Sequence, residues 1–198
     1  VIAYDYSINN DFWISKFKKD LIKFIKLKIF KPKKIYKMFQ FIDFIFFFKM
    51  RKKNLFFLKK IGNHSNCVNI HEIVTTHIRK NDKIFLKIDI EGSEYEILDQ
   101  IISYQEKIQG IVIEFHNVTK NLDVIKDFLN KINGNLSLVH IHANNYSVKE
   151  ANQFPEAIEL TISNIDLENQ NFDHFREYPL KNLDFPNSKR SPDIKISF

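Results

Sequence analysis

The chain has 198 residues, 44% hydrophobic and 27% charged, the balance of a globular protein able to bury a substantial core. Four Gly and five Pro exclude a collagen-like or linker-rich chain, and a single cysteine, Cys67, excludes an intrachain disulfide framework or a cysteine metal cluster, so cytoplasmic residence is the default expectation. The net charge of +6 is unevenly spread: residues 16–60 hold sixteen Lys or Arg against two Asp, whereas residues 61–198 hold fourteen against twenty acidic residues. A basic first quarter therefore precedes a mildly acidic body.

Residues 1–4 read as a short apolar strand ending at Asp5. A chain that opens on what looks like an interior strand is expected to begin inside a domain. From residue 11 to about 30, Phe12, Trp13, Phe17, Leu21, Phe24 and Ile25 recur at amphipathic-helix spacing. Pro32 breaks the run, and residues 33–50 form a second helical stretch with a dense block from Phe39 to Phe48. That block is too short for a membrane span, which needs roughly 20 mainly apolar residues, and Gln40 and Asp43 interrupt it. Helices packing on one another or on a sheet are the favoured reading of this basic, aromatic stretch. Peripheral membrane contact through residues 16–60 is the alternative. Nucleic acid is disfavoured as a partner, because the aromatics form one block instead of interleaving with the basic residues.

Beyond residue 62 the pattern changes. Residues 70–78 predict a short helix, and residues 84–90 a nearly continuous apolar run of the kind buried parallel strands show. A helix over 93–105, a strand over 111–116 and a helix over 121–132 follow, then strands over 136–142 and 157–162. Strands alternating with helices specify an α/β fold with a mainly parallel sheet; the last two strands, with no helix between them, are expected to pair as an antiparallel hairpin at one edge. The sequence after residue 164 reads as a tail laid over the domain, with residues 194–198 a final strand.

In such sheets, ligands bind beyond the carboxyl ends of the strands. Asp89 and Glu91 stand at the first core strand's end, Glu114 and His116 at the next, and His140, His142, Asn144 and Asn145 at the third. A carboxylate inside an otherwise apolar strand is costly unless it is paired or meets a ligand, which marks Asp89 and Glu114. His116 and His142 suit general bases or ligands, or satisfied core-edge residues. Asp89, Glu91, Glu114 and His142 together have the residue types for a divalent ion, without a diagnostic spacing. Glu94 and Glu96 read as helix-start carboxylates behind a Ser93 cap. No glycine-rich nucleotide loop and no nucleophile elbow is present in the sequence.

The run Leu86-Lys87-Ile88-Asp89-Ile90-Glu91-Gly92-Ser93-Glu94 resembles the hallmark of the FkbM-type methyltransferases, and Ile113-Glu114-Phe115-His116 is similar to that family's next strand. The stretches 140–145, 155–161 and 183–187 resemble its later blocks in the expected order. The resemblance implies a Rossmann-like class I methyltransferase fold using S-adenosyl-L-methionine to methylate a hydroxyl on a sugar, lipid or small metabolite. It also implies one domain over 1–198 with a basic helical insert at 11–60, incomplete at its N-terminus because the glycine-rich cofactor motif belongs upstream of Val1. Asp5 then contacts the cofactor ribose. Asp89 contacts the cofactor as well and orients the acceptor or its metal, Glu114 or His116 accepts its proton, and Asn144 and Asn145 fix the acceptor by hydrogen bonds. Two rival readings are a sugar-nucleotide-binding α/β transferase and a non-catalytic remnant.

Overall fold

The computed structural model describes residues 1–27, 39–50, 54–146, 155–165 and 177–197. The chain divides into two compact units, Val1–Val68 and Asn69–Phe198.

The first unit contains strand β1 (Ile2–Tyr4), helix α1 (Asn10–Leu27), helix α2 (Gln40–Ile45), which widens into a π-turn over Phe46–Met50, and strand β2 (Leu55–Phe57), parallel to β1. Two short strands, β3 (Lys60–Ile61) and β4 (Cys67–Val68), also pair in parallel. Stretch 11–60 is thus not wholly helical: β2 closes it. The missed strands hold two or three residues each, too few to display a period of two. An aromatic cluster stabilises this unit. Trp13 lies 5.3 Å from Phe41 and 5.2 Å from Phe44, and Phe44 and Phe48 meet Phe56 at 4.9 and 5.3 Å between ring centroids. Offset and edge contacts of this kind add to area burial. Phe12 and Phe17, expected on the inner face of α1, instead point outward. Phe39, Phe41, Ile42, Phe46 and Phe47 also keep exposed surface. Among the described residues, no helix is long and apolar enough to cross a membrane. Residues 28–38, which carry the expected break at Pro32, lie outside the described residues.

The second unit begins with helix α3 (Ile70–His77), whose N-cap Asn69 accepts a hydrogen bond from the Glu72 N–H. Strand β5 (Ile84–Ile88) leads through a 3-10 turn at Glu94–Ile97 into helix α4 (Leu98–Ser103). Strand β6 (Ile108–His116), helix α5 (Val118–Ile132), strands β7 (Ser137–Ala143) and β8 (Ala157–Ser163), and a terminal pair β9 (Glu177–Tyr178) and β10 (Ile196–Ser197) complete it. The four-stranded sheet has the order β5-β6-β8-β7. β5 and β6 are parallel, while β8 runs antiparallel to both its neighbours, so β5, β6 and β7 share one direction. The expected β7–β8 hairpin pairing is present, with β7 at the edge and β8 inserted against β6.

Alternation along β6 separates two faces. Ile111, Ile113 and Phe115 join Leu160 and Ile162 of β8 on a fully buried face. Val118, Ile125, Phe128 and Ile132 of α5, with Ile97 and Ile101, cover that face, and the Phe115 and Phe128 rings meet at 6.4 Å. The opposite face carries Val112, Glu114 and His116 of β6, half-buried. Gly110 faces Phe85 across the β5–β6 register; a Cβ there would stand 2.9 Å from the exposed Phe85 ring and would displace it.

Candidate functional site

The site lies where β5 and β6 end. β5 stops at Ile88, earlier than the expected residue 90, and Asp89 and Ile90 lead into a tight turn. Glu91 adopts φ 55° and Gly92 φ 101°, both left-handed. Asp89 and Glu91 therefore do not project from a strand; the turn brings them together. Ser93 makes no side-chain cap, contrary to expectation.

Glu94 caps this turn from within. Its side chain is completely buried, and Oε1 accepts hydrogen bonds from the N–H groups of Ile90 and Gly92, each at 3.1 Å. Oε2 accepts a further bond from the Gly92 N–H at 3.0 Å. His116 Nδ1 stands 3.0 Å from Glu94 Oε1. An oxygen already serving as acceptor requires the ring to donate from Nδ1, which leaves the Nε2 lone pair free in the neutral ring. Nε2 points toward Glu91 Oε2 at 3.6 Å and Glu114 Oε1 at 4.0 Å. Ligand atoms of Asp89, Glu91 and His116 lie within 4.8 Å of one another. Tyr95 braces the strand end: its hydroxyl donates to the His116 carbonyl at 2.6 Å, and burial, aided by the Glu94 charge, pushes its pKa up to about 12.

Glu114, nearly buried, receives a hydrogen bond from Asn144 Nδ2 at 2.6 Å, and Asn144 Oδ1 accepts from the Tyr146 N–H. Glu114 also pairs in register with Glu159, which pairs with His142. His142 thus sits on the same face as Glu114 but two strand spacings away, about 10 Å. Its Nε2 is 3.2 Å from both Asp193 carboxylate oxygens. The structure does not bring His142 to the Asp89–His116 cluster. His140 is likewise paired, with Asp184 at 2.8 Å. Asn145 bonds to the C-terminal segment. It is buried, its Nδ2 donates to the carbonyls of Ser188, Ser191 and Pro192, and its Oδ1 accepts from the Ser188 N–H. Its amide N–H groups are taken up by these carbonyls, and Asn145 holds the C-terminal segment. Asp5 lies in the first unit, where Oδ1 accepts from the Ser7 N–H and hydroxyl, each at 2.7 Å. Its other oxygen takes no hydrogen bond from the described residues.

Glu94 is the residue that sequence reasoning missed. The signal for it is slight: a Glu-Gly pair two residues earlier permits the left-handed turn that turns its backbone N–H groups inward.

A sheet whose same-direction strands end in convergent carboxylates and an oriented imidazole defines an α/β protein with a candidate ligand site at the strand crest. A family model described as a methyltransferase FkbM domain matches residues 64–172, just over half of the chain. The chain belongs to the FkbM family of S-adenosylmethionine-dependent methyltransferases. Searches of curated proteins and of solved structures gave no match.

Proposed function

We propose that the protein transfers a methyl group from S-adenosyl-L-methionine to a hydroxyl oxygen of a sugar, lipid or small metabolite, on a Rossmann-like class I methyltransferase sheet. The observation that carries this reading is the crest of β5 and β6 within the matched segment, where Asp89, Glu91, Glu114 and His116 present hydrogen-bond acceptors toward one another. A hydroxyl is the substrate group that such acceptors hold by its proton.

The cofactor supplies an electrophilic methyl on a sulfonium, whose carbon–sulfur bond breaks as the new carbon–oxygen bond forms. The chain's own residues must place the acceptor oxygen in line and take its proton. Asp89, exposed at the turn, orients the hydroxyl. Glu114 or His116 receives the proton: Asn144 fixes the first and Glu94 the second. The order β5-β6-β8-β7, with only β8 reversed, supports the class I sheet. The free oxygen of Asp5 supports a ribose contact.

The test is calorimetry with S-adenosyl-L-methionine, followed by a methyl-transfer assay against hydroxylated acceptors. Asp89→Asn should retain cofactor affinity within about threefold and lose turnover by two orders of magnitude, the usual span for a group that positions or accepts a proton. Binding of a nucleotide sugar in place of S-adenosyl-L-methionine would overturn the reading, and so would unchanged turnover in the Asp89→Asn enzyme.

A further inference from the structure

The crest sets an oriented imidazole beside carboxylates that the fold does not use. Glu94, fully buried and already accepting from two backbone N–H groups, holds the proton of His116 on Nδ1. The opposite ring nitrogen, Nε2, faces carboxylate oxygens of Glu91 and Glu114. Among the described residues, Asp89 has no hydrogen-bond or ion-pair partner, and Glu91 has only His116. Carboxylate oxygens of Asp89 and Glu91 thus stand unused beside an imidazole held in place from behind. At 3.6 and 4.0 Å the nitrogen–oxygen separations exceed a hydrogen bond.

We infer that Asp89, Glu91 and His116 bind a divalent cation, with Glu94 as the positioning residue behind the histidine. This deepens the methyltransferase reading and rests on it only for the role of the ion, not for its binding. A metal-bound imidazole commonly donates its remote N–H to a carboxylate, which fixes the tautomer and raises the ring's basicity. Glu94 and His116 form that pair. One imidazole and two carboxylates suit a divalent ion of hard to borderline character, such as Mn²⁺. Ligand atoms about 2.1 Å from a shared ion lie about 3 Å apart in adjacent positions. The trio, now within 4.8 Å, reaches that spacing by rotation of the exposed Asp89 and Glu91 chains, while the better-buried His116 stays in place. Three protein ligands leave positions open for water or a substrate hydroxyl. A cation there polarises the hydroxyl and leaves Glu114, beside the trio and fixed by Asn144, to receive the proton.

Mn²⁺ titration of the whole chain, read by loss of the free-ion electron paramagnetic resonance signal, tests the site without reference to activity. We expect saturable binding of one ion. Asp89→Asn and His116→Gln should each weaken it at least tenfold, and Glu94→Gln by 10- to 100-fold, the span for a residue behind a metal ligand. Asp99→Asn, exposed on α4, should change nothing. Because Asp89 is exposed, Asp89→Asn keeps the test valid even where Glu94→Gln impairs folding. Absence of saturable binding overturns the inference, as does binding that Asp89→Asn and His116→Gln leave unchanged. Cofactor binding and methyl transfer without Mn²⁺ binding would sink the cation site alone. Mn²⁺ binding without S-adenosyl-L-methionine binding would sink the methyltransferase reading alone.

Discussion

Replacing Glu94 with glutamine tests whether the crest is built around a buried carboxylate. Its two oxygens accept from Ile90 N–H and Gly92 N–H, and Oε1 also meets His116 Nδ1, all between 3.0 and 3.1 Å. Glutamine keeps one oxygen for these donors, but its amide nitrogen then confronts a donor, the Gly92 N–H or the His116 ring. Charge-assisted hydrogen bonds are roughly twice as strong as neutral ones, so neutralising three of them costs about 0.5–1 kcal/mol each. A neutral side chain is easier to bury, which offsets part of that sum. The net expectation is a loss of about 2 kcal/mol, or roughly 4–8 °C in Tm for a chain of this length. Urea denaturation followed by circular dichroism measures it, with Asp99→Asn as a control expected within about 0.5 kcal/mol of the parent. A Glu94→Gln protein as stable as that control would refute the view that this carboxylate holds the turn.

Three other substitutions probe the surrounding structure. Gly92→Ala should cost at least about 1 kcal/mol in urea denaturation through φ 101° alone, because the new Cβ meets only Asn117 Nδ2, at an ordinary 3.6 Å. Phe128→Ala should cost about 3–5 kcal/mol by the same measurement, since its ring is 2% exposed and packs on Phe115 under β6. Asn145→Ala frees the segment that it ties through Ser188, Ser191 and Pro192. Trypsin should then cut after the exposed Lys189 and Arg190 about tenfold faster, and an unchanged rate would show that other contacts retain the segment.

Local signals carried much of the second unit. The apolar runs of β5 and β6 and the 3.6-residue period of α5 lie within windows of fifteen residues or fewer, so their pattern is visible in one stretch of chain. Pairings between distant segments were not visible. β2 joins β1 across about fifty residues, and β8 enters between β6 and β7 against chain order. The same distance effect hid the fate of two site candidates. His142 and Asn145 stand at a strand end, where ligands bind, but Asp193 and the backbone of residues 188–192 occupy them from far along the chain. Strand-end position identifies polar groups near a crest; it does not reveal which of them the fold has already used.

Glu91 and Glu94 show why that distinction matters within a single motif. Both are glutamates near Gly92, and the sequence suggests Glu91 as a strand-end site residue and Glu94 as a helix-start carboxylate. In the structure their environments are opposite: the Glu91 side chain is 85% exposed and that of Glu94 is 0% exposed. Glu94 has three donors and organises the turn, so its loss should register first as instability. Glu91 occupies a left-handed backbone position at φ 55°, which costs an ordinary residue about 1 kcal/mol, and its exposed side chain adds little to the core. Among the described residues, its carboxylate meets only Nε2 of His116. The fold thus depends on Glu94 for the geometry and on the Glu91–Gly92 turn for the approach. The chemistry proposed for the crest falls to the groups that the fold leaves unsatisfied: Asp89, Glu91 and the outer nitrogen of His116.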